Sequence, residues 1–199
     1  STYAGADIAL TGESSSGFGF SLAVGDWNTD GRIDLAVGAD FYSTQTGRAY
    51  IFYNDGSIPT TAATADVMIT GETGGYSFGY SLGAGDWNAD GKTDLAVGAI
   101  SYSTVTGRAY IFYGDGSIPT TAATADVTIT GNASWNYFGT TFVSVDCNAD
   151  GKQDLVVGAK GAGAYIFYND GSYPSGAASA DISISGGGDY FGSSIALVD

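Results

Sequence analysis

A nine-residue acidic loop occurs three times, starting at residues 26, 86 and 146, and this 60-residue recurrence limits the chain to a repeat architecture. The copies are Asp26-Trp27-Asn28-Thr29-Asp30-Gly31-Arg32-Ile33-Asp34, Asp86-Trp87-Asn88-Ala89-Asp90-Gly91-Lys92-Thr93-Asp94 and Asp146-Cys147-Asn148-Ala149-Asp150-Gly151-Lys152-Gln153-Asp154. Oxygen-bearing side chains stand at loop positions 1, 3, 5 and 9, with Gly at position 6. Hard oxygen donors around a glycine turn are the pattern of a loop wrapped on a hard cation.

The residues around each loop read as short strands. In the first unit Phe20 to Val24 alternates large and small residues, Leu35 to Ala39 is a short apolar run, and Arg48 to Tyr53 is rich in β-formers. Asp40 to Thr46 reads as a polar loop, Asn54-Asp55-Gly56 as a turn, and Asp66 to Gly71 as a fourth strand. Units 18–71, 78–131 and 138–186 repeat this order, the third with a shorter loop after Gly158-Ala159. Residues 1–12 carry only a stray fourth strand, matched at Ala6 to Gly12. Residues 191–199 carry only a stray first strand, with Asp199 aligned on Asp26. Four short strands per unit predict an all-β chain of propeller blades. A β-solenoid is the competing architecture, but its coils are usually shorter than 60 residues.

Composition narrows the function classes. The 21 acidic and 6 basic residues give a net charge of −15, which excludes phosphate-neutralising nucleic-acid binding and disfavours anionic membrane surfaces. No apolar run reaches the roughly 20 residues of a membrane-inserted helix. The absence of His removes the commonest zinc ligand and general base, and with it any Ser/His/Asp arrangement. Cys147 is the single cysteine and stands where the other loops have Trp, so it is expected to be a small buried hydrophobe. Trp27 and Trp87 are expected to pack beneath their loops.

For calcium, the ligands are the side chains of Asp26, Asn28, Asp30 and Asp34 with the Arg32 carbonyl. The second set is Asp86, Asn88, Asp90, the Lys92 carbonyl and Asp94. The third is Asp146, Asn148, Asp150, the Lys152 carbonyl and Asp154. An EF-hand begins the same way, but it needs Glu at position 12, where this chain has Val37, Val97 and Val157. Magnesium demands tighter octahedral geometry, so calcium leads. Three calcium ions, one per unit, make the loops structural staples rather than a catalytic centre, and the chain is expected not to be an enzyme.

The order Phe-Gly, acidic loop, Gly-Ala, Tyr-Ile-Phe-Tyr resembles the FG-GAP repeat, the blade of integrin α-subunit β-propellers. It is carried by Phe18-Gly19 with Gly38-Ala39, Phe78-Gly79 with Gly98-Ala99, and Phe138-Gly139 with Gly158-Ala159. The Pro that usually follows Gly-Ala is Asp40, Ile100 and Lys160 here. The resemblance implies the same calcium assignment and a ring usually of seven blades, of which this chain supplies three. It points to a secreted or cell-surface protein in adhesion or structural assembly. The expected partners are other propeller blades or further copies of the chain, joined through the incomplete terminal blade. A lectin-like or protein-binding module is the alternative. Tyr50, Tyr53, Tyr110, Tyr113, Tyr165 and Tyr168 could offer a glycan surface, though aromatics at strand spacing usually pack. Asn132-Ala133-Ser134 is a glycosylation sequon, a triplet that is also common by chance.

Overall fold

The computed structural model describes residues 7–186 and 190–196. Three antiparallel four-stranded sheets account for nearly all of its strands, one per predicted unit. Blade 1 is β1 (Ser21–Gly25), β2 (Asp34–Ala39), β3 (Arg48–Phe52) and β4 (Val67–Thr70). Blade 2 is β5 (Phe78–Gly85), β6 (Asp94–Ala99), β7 (Arg108–Phe112) and β8 (Val127–Thr130). Blade 3 is β9 (Phe138–Val145), β10 (Asp154–Ala159), β11 (Gly163–Phe167) and β12 (Ile182–Ser185). Strands follow one another in space as in sequence, so each blade is a simple meander with short connections.

After its first residue, an Asp, the second strand of each blade is apolar because both of its faces are covered. Leu35 pairs with Phe52 and Val37 with Tyr50 in blade 1, and Leu95 with Phe112 and Val97 with Tyr110 in blade 2. Blades stack through these faces: β5 lies against β1 and β2, and β9 against β5 and β6. The core between blades 1 and 2 joins Trp27, Ile51 and Ile69 to Leu95, Val97 and Phe112. The core between blades 2 and 3 joins Trp87, Ile111 and Ile129 to Leu155, Val157 and Phe167. Trp27 and Trp87 are fully buried, as expected of residues packed under their loops.

Two expectations are corrected. Cys147 is exposed, not buried. The Trp at this position in blades 1 and 2 is buried against the following blade, and none of the described residues forms such a blade over position 147. The terminal segments also do not form strands among the described residues. Asp7 to Leu10 lies outside every sheet, and Thr11 makes a single parallel bridge to Thr61. A fourth strand pairs only with a third strand of its own sheet, and this segment has none. Phe191 to Ala196 likewise forms no ladder, for want of a second strand to pair with. Ala6 and Leu197 to Asp199, including the predicted start of a fourth loop, lie outside the described residues.

The loop after β2 is more ordered than expected. It contains a helical turn, α1 (Tyr42–Gln45), repeated in blade 2 as α2 (Tyr102–Val105). Ser43, Thr44 and Gln45 are left-handed, with φ of 46°, 56° and 63°. Three consecutive non-glycine residues of that hand are costly. The turn is held by the next blade, since the Gly75 and Ser77 amides donate to the Thr44 and Gln45 carbonyls at 3.0 and 2.8 Å.

Candidate metal centres

Each acidic loop joins the first strand of its blade to the second, at one end of the sheet. The fold sorts its side chains into two kinds. The position-9 carboxylates, Asp34, Asp94 and Asp154, begin the second strands and are at most 1% exposed. The loop residues at positions 1, 3 and 5 lie toward solvent.

The buried carboxylate ties the loop to a distant turn. Asp94 accepts hydrogen bonds from the Trp87 amide at 2.7 Å and the Gly114 amide at 2.9 Å. Asp34 does the same with the Trp27 and Asn54 amides, at 3.0 and 2.9 Å, and Asp154 with those of Cys147 and Asn169, at 2.8 and 2.9 Å. Burial is the main force pushing the Asp94 carboxyl up to about 6. Its two amide donors oppose the rise, while the nearby Asp86 and Asp90 charges add to it. The loop therefore holds a buried anion under two further anions, with no cation bonded to it among the described residues, an electrostatic deficit that a divalent ion would relieve.

The outer carboxylates organise the loop backbone. Asp86 accepts from the Asp90 and Gly91 amides at 3.1 and 2.9 Å, Asn88 from the Asp90 amide at 2.9 Å, and Asp90 from the Lys92 amide at 2.9 Å. Asp26, Asn28 and Asp30 repeat the pattern, as do Asp146, Asn148 and Asp150. The Gly151 amide is the largest of the influences holding the Asp146 carboxyl below the usual range. Gly31, at φ 82°, supplies the left-handed backbone that turns the loop. Arg32 and Lys152 point away from their loops, toward the Asn54 and Asn169 carbonyls at 3.2 and 3.1 Å. Lys92 instead lies 4.0 Å from Asp90.

No group of three acidic side chains converges as a ready-made ligand cluster among the described residues. The donor set still fits a hard cation. A carboxylate offers about four lone-pair sites, and each amide bond described occupies one. Position 1, 3, 5 and 9 oxygens thus keep acceptor capacity on the loop.

Sequence reasoning missed two elements of these centres. Asp66, Asp126 and Asp181 each accept from the amide of Tyr53, Tyr113 and Tyr168 at 2.8 Å, a second clip on the turn that the position-9 Asp holds. Their recurrence before each fourth strand was the available signal. Blade 3 also reaches back to the second loop. Gln153 accepts from the Asp86 amide at 2.9 Å, and the Tyr173 hydroxyl donates to the Trp87 carbonyl at 2.9 Å. Loop 2 is therefore seated between blades.

The other candidates separate. Tyr50 and Tyr110 are core residues rather than a glycan surface, and Tyr165 is nearly as buried. Tyr53 and Tyr113 are partly buried against the core between blades. The Asn132 side-chain oxygen accepts from the Tyr165 hydroxyl at 3.1 Å and the Asn136 amide at 2.9 Å.

Comparison with known sequences finds one repeat type in all three blades. The FG-GAP repeat profile matches residues 18–52, 78–112 and 138–180. The chain is 34% identical over 180 residues to phosphatidylinositol-glycan-specific phospholipase D of Bos taurus, covering 79% of this chain and 21% of that protein. It is 33% identical over 171 residues to integrin alpha-7 of Homo sapiens, covering 81% of this chain and 14% of that one. With integrin alpha-IIb of Mus musculus it shares 34% over 163 residues, covering 76% and 16%. The chain thus spans about a fifth or less of the length of these relatives.

Proposed function

The chain belongs to the FG-GAP repeat family, and from that premise we propose that it is a calcium-stabilised β-propeller module of a secreted or cell-surface protein, serving adhesion or structural assembly. One observation carries the reading. The same oxygen-rich loop closes every blade over a buried Asp, and in loop 2 that carboxyl is pushed up to about 6 by burial and by its own loop neighbours. Calcium held by the side chains of positions 1, 3, 5 and 9 and the position-7 carbonyl would supply the missing positive charge. Its role is a staple, because each blade carries its own copy and each loop packs on the sheet it joins.

The expected size follows from linkage. Extracellular calcium modules bind with dissociation constants of roughly 0.1–1 mM. At 10 mM calcium each such site adds about 1.4–2.7 kcal/mol to the folded state, or about 4–8 kcal/mol for three. For a chain of this size that raises the melting temperature by about 10 °C or more. The test is a melt of the calcium-stripped chain, with and without 10 mM CaCl2. An unmoved transition would refute the staple.

The partner reading rests on the two outer faces of the stack. Blade 1 exposes Leu22 and Val24, and blade 3 exposes Ile182 and Ile184. The residues at the same positions on the inner faces pack against neighbouring blades. The natural occupants are further FG-GAP blades, from the rest of a longer chain or from a second copy. The phospholipase among the relatives is an enzyme by name, but the matched fifth of it is the repeat segment, and we read the present chain as a non-catalytic module.

A further inference from the structure

Blade 3 departs from its two siblings at the end of the sheet opposite the acidic loop. Three residues, Lys160 to Ala162, join β10 to β11, where eight residues make the same connection in blades 1 and 2. The shortening removes the helical turn. It also removes a charged stack: Arg48 and Arg108 sit 3.7 Å over the Tyr42 and Tyr102 rings and pair with Glu13 and Glu72 at 3.3 and 3.4 Å. Their counterparts in blade 3 are Gly163 and Asn132. Beside the shortened loop lies an open cleft of about 360 Å3, lined by Trp135, Tyr137, Lys160, Gly161 and Tyr190.

The aromatic residues of this cleft stand where the backbone resists them. Position 135 is left-handed in all three blades, with φ of 56° at Ser15, 84° at Gly75 and 67° at Trp135. Position 137 is left-handed as well, with φ of 70° at Gly17, 55° at Ser77 and 51° at Tyr137. Blades 1 and 2 place only the small residues Ser and Gly there. Blade 3 places its two bulkiest alternatives there, against the steric preference of such side chains. Nor does Trp135 gain burial in exchange. Trp135 is 66% exposed, whereas the other two tryptophans of the chain are fully buried. Tyr190, 70% exposed, faces the Lys160 ammonium, which lies 4.8 Å from its ring centre and 5.6 Å from that of Tyr137. No carboxylate pairs with Lys160 among the described residues.

We propose that this cleft is a saccharide-binding site specific for a carboxylate-bearing sugar unit. The indole and phenol rings offer flat faces for the C–H face of a pyranose, and their hydroxyl and N–H edges can hydrogen-bond to its hydroxyl groups. Lys160 supplies a charge-assisted hydrogen bond to the carboxylate. In a chain of net charge −15 the overall field repels anions, so selection of an acidic sugar has to come from this local ammonium. A nucleic acid does not fit, because one cation cannot anchor a phosphate backbone against that field. The site is separated from the acidic loop of its blade by the whole length of β10, so it goes beyond the calcium reading and its test is read independently.

Trp135 makes the test direct, since it is the one exposed residue of the three tryptophans. Hyaluronan tetrasaccharide, which carries glucuronate, is titrated against the folded chain at fixed calcium, with its methyl ester as the uncharged control. The expected result is a blue shift of the emission, protection of Trp135 from acrylamide quenching, and at least tenfold tighter binding of the acid than of the ester. Trp135→Ser, which restores the residue of blade 1 and so suits the backbone, should abolish binding while leaving the calcium-dependent melt unchanged. Lys160→Ile, the residue of blade 2, should bring acid and ester to equal affinity. The proposal is overturned if the acid leaves Trp135 unprotected, if Trp135→Ser still binds, or if the ester binds the native chain as well as the acid does.

Discussion

Truncating Asp94 and Asp86 one at a time separates what each loop carboxylate does. Asp94 is fully buried and is the acceptor for two amides, Trp87 at 2.7 Å and Gly114 at 2.9 Å. Asp94→Ala leaves both amides without that partner in the interior, at about 1–3 kcal/mol each, or about 2–6 kcal/mol together. Without calcium the loss is reduced, because the substitution also removes a buried charge that has no cation beside it. Asp86 is solvent-facing, and its bonds to the Asp90 and Gly91 amides are among exposed groups. Asp86→Ala should therefore cost only about 0.5–1.5 kcal/mol in chelator. In calcium it should additionally lose the increment of one site, about 1.4–2.7 kcal/mol.

The assay is urea unfolding of both variants and the parent, each in chelator and in 10 mM CaCl2, followed by circular dichroism. Asp94→Asn is an informative third variant. Its amide oxygen can still accept one of the two bonds, but its NH2 group meets the other donor, so it should fall between the parent and Asp94→Ala. Equal destabilisation by Asp94→Ala and Asp86→Ala in chelator would refute the argument, since it would mean that burial does not distinguish the two carboxylates.

Trp87→Ala should destabilise by about 3–5 kcal/mol and should speed amide exchange in β9 to β11 more than in β1 to β3, because this indole fills the core between blades 2 and 3. Cys147→Ala, at the same loop position but exposed, should stay within about 0.5 kcal/mol of the parent. Alkaline titration should expose Tyr50, whose hydroxyl is pushed up to about 12 by burial and then by the Glu13 carboxylate. A raised folded value means that its contribution is fully present below pH 10 and is lost as pH rises from about 10 to 12, which melting temperatures across that range would register.

The blades and their loops were legible because they depend on contacts made within each unit. The alternation in Phe20 to Val24, the apolar Leu35 to Ala39 and the Asp-x-Asn-x-Asp-Gly turn each specify local structure, and the 60-residue period repeats them. What was not legible depends on neighbours. Cys147 and Trp87 occupy one loop position, yet one is exposed and the other buried because only Trp87 has a blade beyond it. Ile8 to Thr11 has the alternating pattern of a fourth strand but, among the described residues, no third strand to pair with. Asp86 and Asp94 are the same residue type in one loop, and what separates them is that Asp94 begins the covered second strand while Asp86 stays on the loop, as Asp154 and Asp146 do in blade 3. The left-handed turns at Ser43 and Ser103 gave no sign in a polar stretch without glycine before position 47 or 107.

The two halves of the repeat signature meet across blades rather than within one. Gly38 and Gly98, of the Gly-Ala pairs, face the carbonyls of Gly79 and Gly139, of the Phe-Gly pairs in the following blade, so closely that a Cβ at either would collide with them. Ser21 and Ser81 donate their hydroxyls to those same carbonyls. The Phe of each pair meanwhile packs edge-on against aromatics of its own sheet, Phe78 on Tyr110 at 5.3 Å and Phe138 on Tyr165 at 5.5 Å. One dipeptide thus anchors its blade and presents a backbone carbonyl that only a glycine on the preceding blade can approach. The chain ends obey the same rule. Gly158 faces the Gly192 carbonyl, as Gly98 faces that of Gly139. At the other end the Thr11 amide donates to the Thr60 carbonyl at 2.8 Å, as the Thr70 amide donates to that of Thr120 at 3.0 Å. Residues 11 and 192 therefore hold the places of neighbouring blades on the two outer faces. Each outer face thus keeps one contact of an internal blade junction, which supports the proposal that a further blade packs there.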